Sequence, residues 1–69
     1  MAEDHTYGIS EIVGSSATSI DDAIRTAITK ASEDRRQIRW FEVEKLSGHV
    51  VDGKVGHFQV ALKLGYTLE

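Results

Sequence analysis

The feature that most restricts the fold of this chain is the dipeptide Asp52-Gly53, which lies between two long β-type segments. An Asp-Gly pair favours a two-residue type I′ turn, because both turn positions need a positive φ that few other residues adopt. The flanking segments, 40–51 and 54–68, therefore predict one long antiparallel hairpin. If these two residues are the whole loop, residue 51 lies opposite residue 54 and every later cross-strand pair follows from that register.

This register divides the side chains of the hairpin between two faces. One face is apolar and is expected to meet the rest of the fold; it carries Phe58, Val60, Leu62, Leu64, Tyr66 and Leu68, with Phe41 and Val43. The opposite face carries Trp40, Glu42, Glu44, Leu46, His57, Gln59, Ala61 and Lys63. A tryptophan on such a polar face is apolar area that a monomer would leave in water. We therefore expect a partner subunit or a planar ligand to cover Trp40.

Two further elements precede the hairpin. Residues 6–13 are rich in β-formers and predict a first strand, which Gly14-Ser15-Ser16 should end in a turn. Residues 20–34 predict a helix with one apolar face, because isoleucine and alanine recur there at helical spacing after a capping residue, Ser19. The predicted fold class is α+β: one domain, 1–69, with β-α-β-β order, a three-stranded antiparallel sheet and one helix on one sheet face.

Size and composition bear on how such a domain is stabilised. A domain of about 60 residues buries only about 60% of its unfolded surface, and this chain of 69 residues has no cysteine for a disulfide or a thiolate metal site. Association of several copies is therefore expected. The net charge of −3 argues against general nucleic-acid binding. The absence of a signal-type N-terminus and of an apolar run near about 18 residues favours a cytoplasmic protein without a membrane span.

The titratable residues of the hairpin give no pattern typical of catalysis. Glu42 lies opposite Lys63 in the predicted register, and we interpret the two as a structural ion pair because no nucleophile accompanies them. His49 and His57 are expected on opposite faces and His5 lies near the N-terminus, so their spacing predicts no metal site.

Four short segments make the sequence resemble the dodecins, small flavin-binding proteins that assemble as hollow dodecamers. They are EIVGSS at 11–16, WFEV at 40–43, HFQV at 57–60 and KLGY at 63–66. The resemblance spans nearly the whole chain and depends on the combination of these segments with the chain length and the Asp-Gly hairpin. It implies a homododecamer with the helices outward, and with the other sheet face toward the interior and the flavin sites.

The resemblance also implies roles for particular residues. Trp40 would stack on the isoalloxazine ring, and Gln59 would hydrogen-bond the edge of that ring. Gln59 is expected opposite Leu46, too far from Trp40 for one chain to hold both the face and the edge of a flavin, so several subunits are expected to form each pocket. Ser47 and Thr67 stand where certain bacterial dodecins have arginines that help hold the phosphates of FMN or of coenzyme A.

The function implied is storage, buffering or sequestration of a flavin, FMN or riboflavin, rather than catalysis. Two alternatives stay open at the level of sequence. One is a structural or cation-binding shell of the calcium type, in which Trp40 is an interface residue. The other is a flavoenzyme subunit that transfers electrons.

Overall fold

The protein, described here by a computed structural model over residues 5–35 and 37–68, has the predicted α+β architecture. The three strands form one antiparallel sheet in the order β1-β3-β2, so the last strand lies in the centre. The elements are β1 (Tyr7–Ser16), α1 (Ile20–Asp34), β2 (Ile38–Val51) and β3 (Lys54–Thr67). In the part of the chain that the structure describes, no helix is both long and apolar enough to span a bilayer.

The helix begins and ends where the sequence pattern predicts. Ser19 is extended and its Oγ accepts a hydrogen bond from the Asp22 amide at 3.0 Å, which satisfies one of the free amides of the first turn. At the other end the Arg35 amide donates to the Ala31 carbonyl at 3.0 Å. These two hydrogen bonds mark the ends of α1.

The core lies between α1 and the two strands that it covers, β1 and β3. Its fully buried side chains are Ala23, Val60, Leu62 and Leu64. Gly14 of β1 allows the close approach of the helix, because a Cβ at this position would lie 2.6 Å from the Ala23 carbonyl oxygen and from the Ala27 Cβ. The small residues on the helix face thus bring helix and sheet together.

The first strand is longer than predicted. Gly14-Ser15-Ser16 continues β1 and pairs with β3 as far as Ser16 opposite Phe58, so the prediction of a turn there is wrong. The chain turns only after Ser16, whose Oγ accepts from the amides of Thr18 and Ser19 at 2.9 and 3.3 Å. The same hydroxyl donates to Asp22 Oδ2 at 2.7 Å, which ties the end of the strand to the start of the helix.

The hairpin turn is confirmed, but its register is interrupted. Asp52 and Gly53 have φ values of 52° and 75°, and residues 51 and 54 are partners as predicted. The β2–β3 register then shifts at three places along β2, between Ile38 and Trp40, between Val43 and Lys45, and between His49 and Val50. Each shift is typical of a β-bulge, which re-aims the side chains around it.

The helix leaves one apolar strip of the sheet uncovered, because α1 packs on β1 and β3 rather than on β2. Phe41 and Val43 are 46% and 47% exposed. Leu46 pairs with buried Val60 and is 52% exposed, so it lies on the helix side and the prediction that it shares a face with Trp40 is wrong. Apolar area of this kind is the usual mark of an interaction surface.

Candidate functional site

The sheet face away from α1, hereafter the open face, holds every candidate ligand-binding residue. Side chains alternate along a strand, so this face is defined by alternate residues of the central strand and by their partners in β1 and β2. The β3 residues on it are His57, Gln59, Ala61, Lys63, Gly65 and Thr67.

An aromatic pair lies at one end of the open face. Trp40 of β2 is the partner of Gly65, and its indole lies across that glycine, in the space that a Cβ would occupy. Beyond Gly65 the indole meets Tyr7 of β1 edge to face, with ring centroids 5.1 Å apart and planes at 79°. This is a favourable geometry for aromatic rings. Trp40 is held from two sides and is still 40% exposed, so it presents a positioned ring surface to its surroundings.

Next to this pair a bulge brings an arginine onto the open face. Ile38 pairs with Tyr66 and Trp40 with Gly65, which makes Arg39 the extra residue of β2. Its Nε donates to Thr67 Oγ1 at 3.2 Å. In a regular strand, neighbours such as Arg39 and Trp40 would lie on opposite faces. The bulge therefore brings the Arg39 side chain onto the same sheet face as the indole.

A surface cavity of about 510 Å³ opens at this end of the sheet. Its lining residues are His5, Tyr7, Gln37, Arg39 and Thr67. The Gln37 carbonyl oxygen accepts a hydrogen bond from the Thr67 amide at 3.1 Å, which fixes the cavity wall. Within residues 5–35 and 37–68, Arg39 forms no ion pair, so its positive charge is available to an anion.

The other two candidate residues lie far from Trp40. Gln59 is exposed and pairs with exposed Ser47, not with Leu46 as predicted, because the bulge next to His49 moves the register by one residue. Gln59 is six residues from Gly65 along β3, or about 20 Å at the rise of a strand. The structure therefore brings Ser47 to Gln59 and Thr67 close to Trp40, but it does not bring these two groups together within one chain.

A charged cluster occupies the middle of the open face. Lys63 has Glu11 and Glu42 as its strand partners, as predicted for Glu42. Its Nζ nevertheless pairs with Glu44 Oε2 at 3.3 Å. The side-chain hydrogen bond that Lys63 donates to Glu44, followed by the charge of that carboxylate, raises the pKa of Lys63 above its usual value. The ammonium is therefore a stable cation among three carboxylates.

The sequence pattern assigns no role to three residues near Trp40, namely Tyr7, Arg39 and Gly65. Gly65 carries a detectable signal, since a glycine inside a strand often marks a close approach by another group. The predicted register already placed it opposite Trp40. Arg39 carries no such signal, because a bulge inside an otherwise regular alternation leaves no mark in the sequence.

Comparisons with known proteins agree with this description. The family model Dodecin matches residues 6–69. Dodecin from Thermus thermophilus is 36% identical over 59 residues, which is 86% of each chain. The structure of dodecin from Streptomyces coelicolor superposes with a TM-score of 0.91 at 47% identity, covering 99% of this chain and 97% of that one.

A more distant structure is that of a protein from Mycobacterium tuberculosis described as calcium dodecin, a calcium-chelating antigen. It superposes with a TM-score of 0.79 at 25% identity, covering 93% of this chain and 91% of that one.

The fold and the open face define a small β-α-β-β protein with one sheet face covered by a helix and the other free. The chain belongs to the dodecin family.

Proposed function

We propose that this chain binds a flavin and stores or buffers it, without catalysis, as a subunit of a hollow homododecamer. The observation that carries the proposal is the placement of Trp40. Its indole lies across Gly65, is supported by Tyr7 and keeps an exposed ring surface. A fixed indole is a suitable surface for stacking on a wide, planar isoalloxazine ring.

The site needs more than one chain. Trp40 and Gln59 are about 20 Å apart along the sheet. The Trp40 that stacks on a flavin and the Gln59 that hydrogen-bonds the edge of the same ring therefore come from different subunits. The exposed strip of Phe41, Val43 and Leu46 supplies apolar area for the contacts between those subunits. A symmetric assembly satisfies both requirements at once.

We further propose that Arg39 holds the phosphate of the ligand and favours FMN over riboflavin. Ser47 and Thr67 bring hydroxyls rather than guanidinium groups to the positions where certain dodecins have arginine. Arg39 restores one guanidinium at Thr67, where their hydrogen bond of 3.2 Å restrains it at the edge of the 510 Å³ cavity. The same cation could bind the phosphates of coenzyme A.

A cation-binding shell of the calcium type is the second candidate. It is favoured by the three glutamates on the open face, Glu11, Glu42 and Glu44, and by the similarity to the Mycobacterium tuberculosis protein described as calcium-chelating. Against it, Lys63 already occupies the centre of this cluster and pairs with Glu44. A calcium ion would have to displace that ammonium or accept its repulsion.

The test is a titration of the purified assembly with riboflavin and with FMN, followed by flavin fluorescence. Stacking on Trp40 predicts strong quenching that saturates. Calcium-dependent thermal stability without quenching would support the cation shell. Oxidation of a nicotinamide donor by the flavin-loaded protein would support electron transfer. Gel filtration with light scattering in the same buffer measures the assembly, and a monomer of 7.6 kDa would contradict the proposal.

A further inference from the structure

Two histidines face each other near the turn end of the hairpin. His49 and His57 are cross-strand partners, and their rings are stacked with centroids 5.3 Å apart and planes 4° apart. The prediction that they lie on opposite faces is wrong. The bulge between His49 and Val50, in which Gly56 of β3 is the extra residue, shifts the register by one residue and brings His49 onto the open face. His57 lies there as predicted, and both are beside the pair Ser47 and Gln59.

We propose that His49 and His57 together bind one divalent transition-metal ion of the zinc, nickel or copper class. Imidazole nitrogen is a preferred ligand of these ions. The Cβ atoms of residues directly opposite each other in a sheet lie about 4.5–5.5 Å apart. Two imidazole nitrogens on a tetrahedral ion with bonds of about 2.0–2.1 Å lie about 3.3 Å apart. The proposal requires the stacked rings to rotate about their side-chain bonds until one nitrogen of each reaches that separation.

The surroundings of the pair determine what kind of site it is. Within the described ranges no group of three or more histidine, cysteine or acidic side chains could hold a metal, so water completes the coordination of an ion held by these two rings. His49 is exposed and His57 is half-buried, which leaves the outer coordination positions open to solvent. Calcium and magnesium prefer oxygen ligands and are not expected to bind here.

This inference does not rest on flavin binding, because neither imidazole has a role at the flavin in the proposed function. Gln59 lies beside the pair, so Zn²⁺ binding is measured on flavin-free protein. Metal binding could fail while flavin binding persists, and the reverse also holds. The two proposals are therefore tested separately.

Calorimetric titration of the metal-free assembly with Zn²⁺ tests the pair. We expect saturation at one ion per chain, and no saturable heat with Ca²⁺ at this site. His49→Gln and His57→Gln should each weaken Zn²⁺ binding by about tenfold or more. Loss of a residue that only supports a metal ligand already lowers metal affinity by about tenfold or more, and loss of the ligand itself should cost at least as much. His5→Gln is the matched control and should leave the affinity unchanged. Unchanged affinity in either pair variant, or loss of binding in the His5 variant, would overturn the proposal.

A measurement on the unmodified protein removes any dependence on how the variants fold. Crystals grown with Zn²⁺ should show an anomalous difference peak between the two imidazoles, at about 2.0–2.1 Å from one nitrogen of each ring. No peak at this position under saturating Zn²⁺ would overturn the proposal.

Discussion

Trp40 and Gly65 are direct partners across β2 and β3, and the indole of Trp40 occupies the space that a side chain on Gly65 would fill. A second contact between an aromatic ring and a strand glycine occurs on the helix side of the sheet, where the Tyr66 ring covers Gly8. An aromatic ring that shields a strand glycine stabilises the sheet locally. On the open face, the contact with Gly65 also fixes the position of the Trp40 indole, which is the candidate surface for stacking a flavin.

Gly65→Ala should displace the indole and weaken riboflavin binding by about tenfold or more, because near-complete overlap with a methyl group forces the ring off its rotamer or away from the sheet. Tryptophan emission of the ligand-free protein should change as the ring becomes more exposed. Gly56→Ala is the matched control, since the added methyl meets Val51 Cγ2 at 3.0 Å, far from Trp40. Riboflavin affinity that is equal in the two variants would contradict the role assigned to Gly65.

Arg39→Gln should lower FMN affinity by roughly tenfold to a hundredfold, which corresponds to the about 1.5–3 kcal/mol of a hydrogen bond to a charged group. Riboflavin affinity should stay the same, because riboflavin lacks the phosphate. Parallel fluorescence titrations with the two ligands measure the ratio.

The control for that substitution is Arg25→Gln on the helix, where the guanidinium pairs with Asp21 at 2.7 Å on an exposed surface. It removes the same charge from the chain without touching the open face. An equal loss of FMN affinity in both variants would indicate a general charge effect rather than a site.

The features of the fold that depend on a few neighbouring residues could be predicted from the sequence. The bounds of α1 and the turn at Asp52-Gly53 were predictable, because each depends on local chemistry: a capping hydroxyl, a helical period and two positive φ values. The sheet face on which a β2 side chain lies could be predicted only where the bulges leave the β2–β3 register as counted from the turn. Glu42 was correctly placed opposite Lys63 in this way.

The bulges account for most of what was missed. Two of them add a residue to β2, Arg39 and Glu44, with no proline or glycine to mark the site. The third adds Gly56 to β3, where a glycine within a strand is a sign of a bulge that the regular register did not use. This is why Leu46 was assigned to the wrong face, why Gln59 was paired with Leu46 instead of Ser47, and why the contact between His49 and His57 was not foreseen. The ion pair of Lys63 with Glu44 has the same origin.

Gly53→Ala should lower the free energy of unfolding by about 1–2 kcal/mol per chain, because alanine at a φ of 75° is strained. Asp52→Asn should be close to neutral, since asparagine also adopts a positive φ in such turns. Denaturant unfolding at fixed protein concentration measures both, because the stability of an assembly depends on concentration. A neutral Gly53→Ala would contradict the turn geometry.

Ser19→Ala should cost about 1 kcal/mol through loss of the hydrogen bond to the Asp22 amide. Ser19→Asp retains an acceptor at the N-cap and should restore most of that stability. The same unfolding measurement applies. If the alanine and aspartate variants are equally destabilised, the cap at Ser19 is not what starts the helix.

The most direct test of the account is the quenching of riboflavin fluorescence by the wild-type assembly, by Trp40→Phe and by Trp40→Ala. Gel filtration should first show that all three have the same size. The account predicts strong, saturable quenching by the wild type, weaker binding by the phenylalanine variant, whose ring is smaller, and none by the alanine variant. Quenching that persists undiminished in Trp40→Ala would contradict the claim that the indole held across Gly65 is the flavin-binding surface.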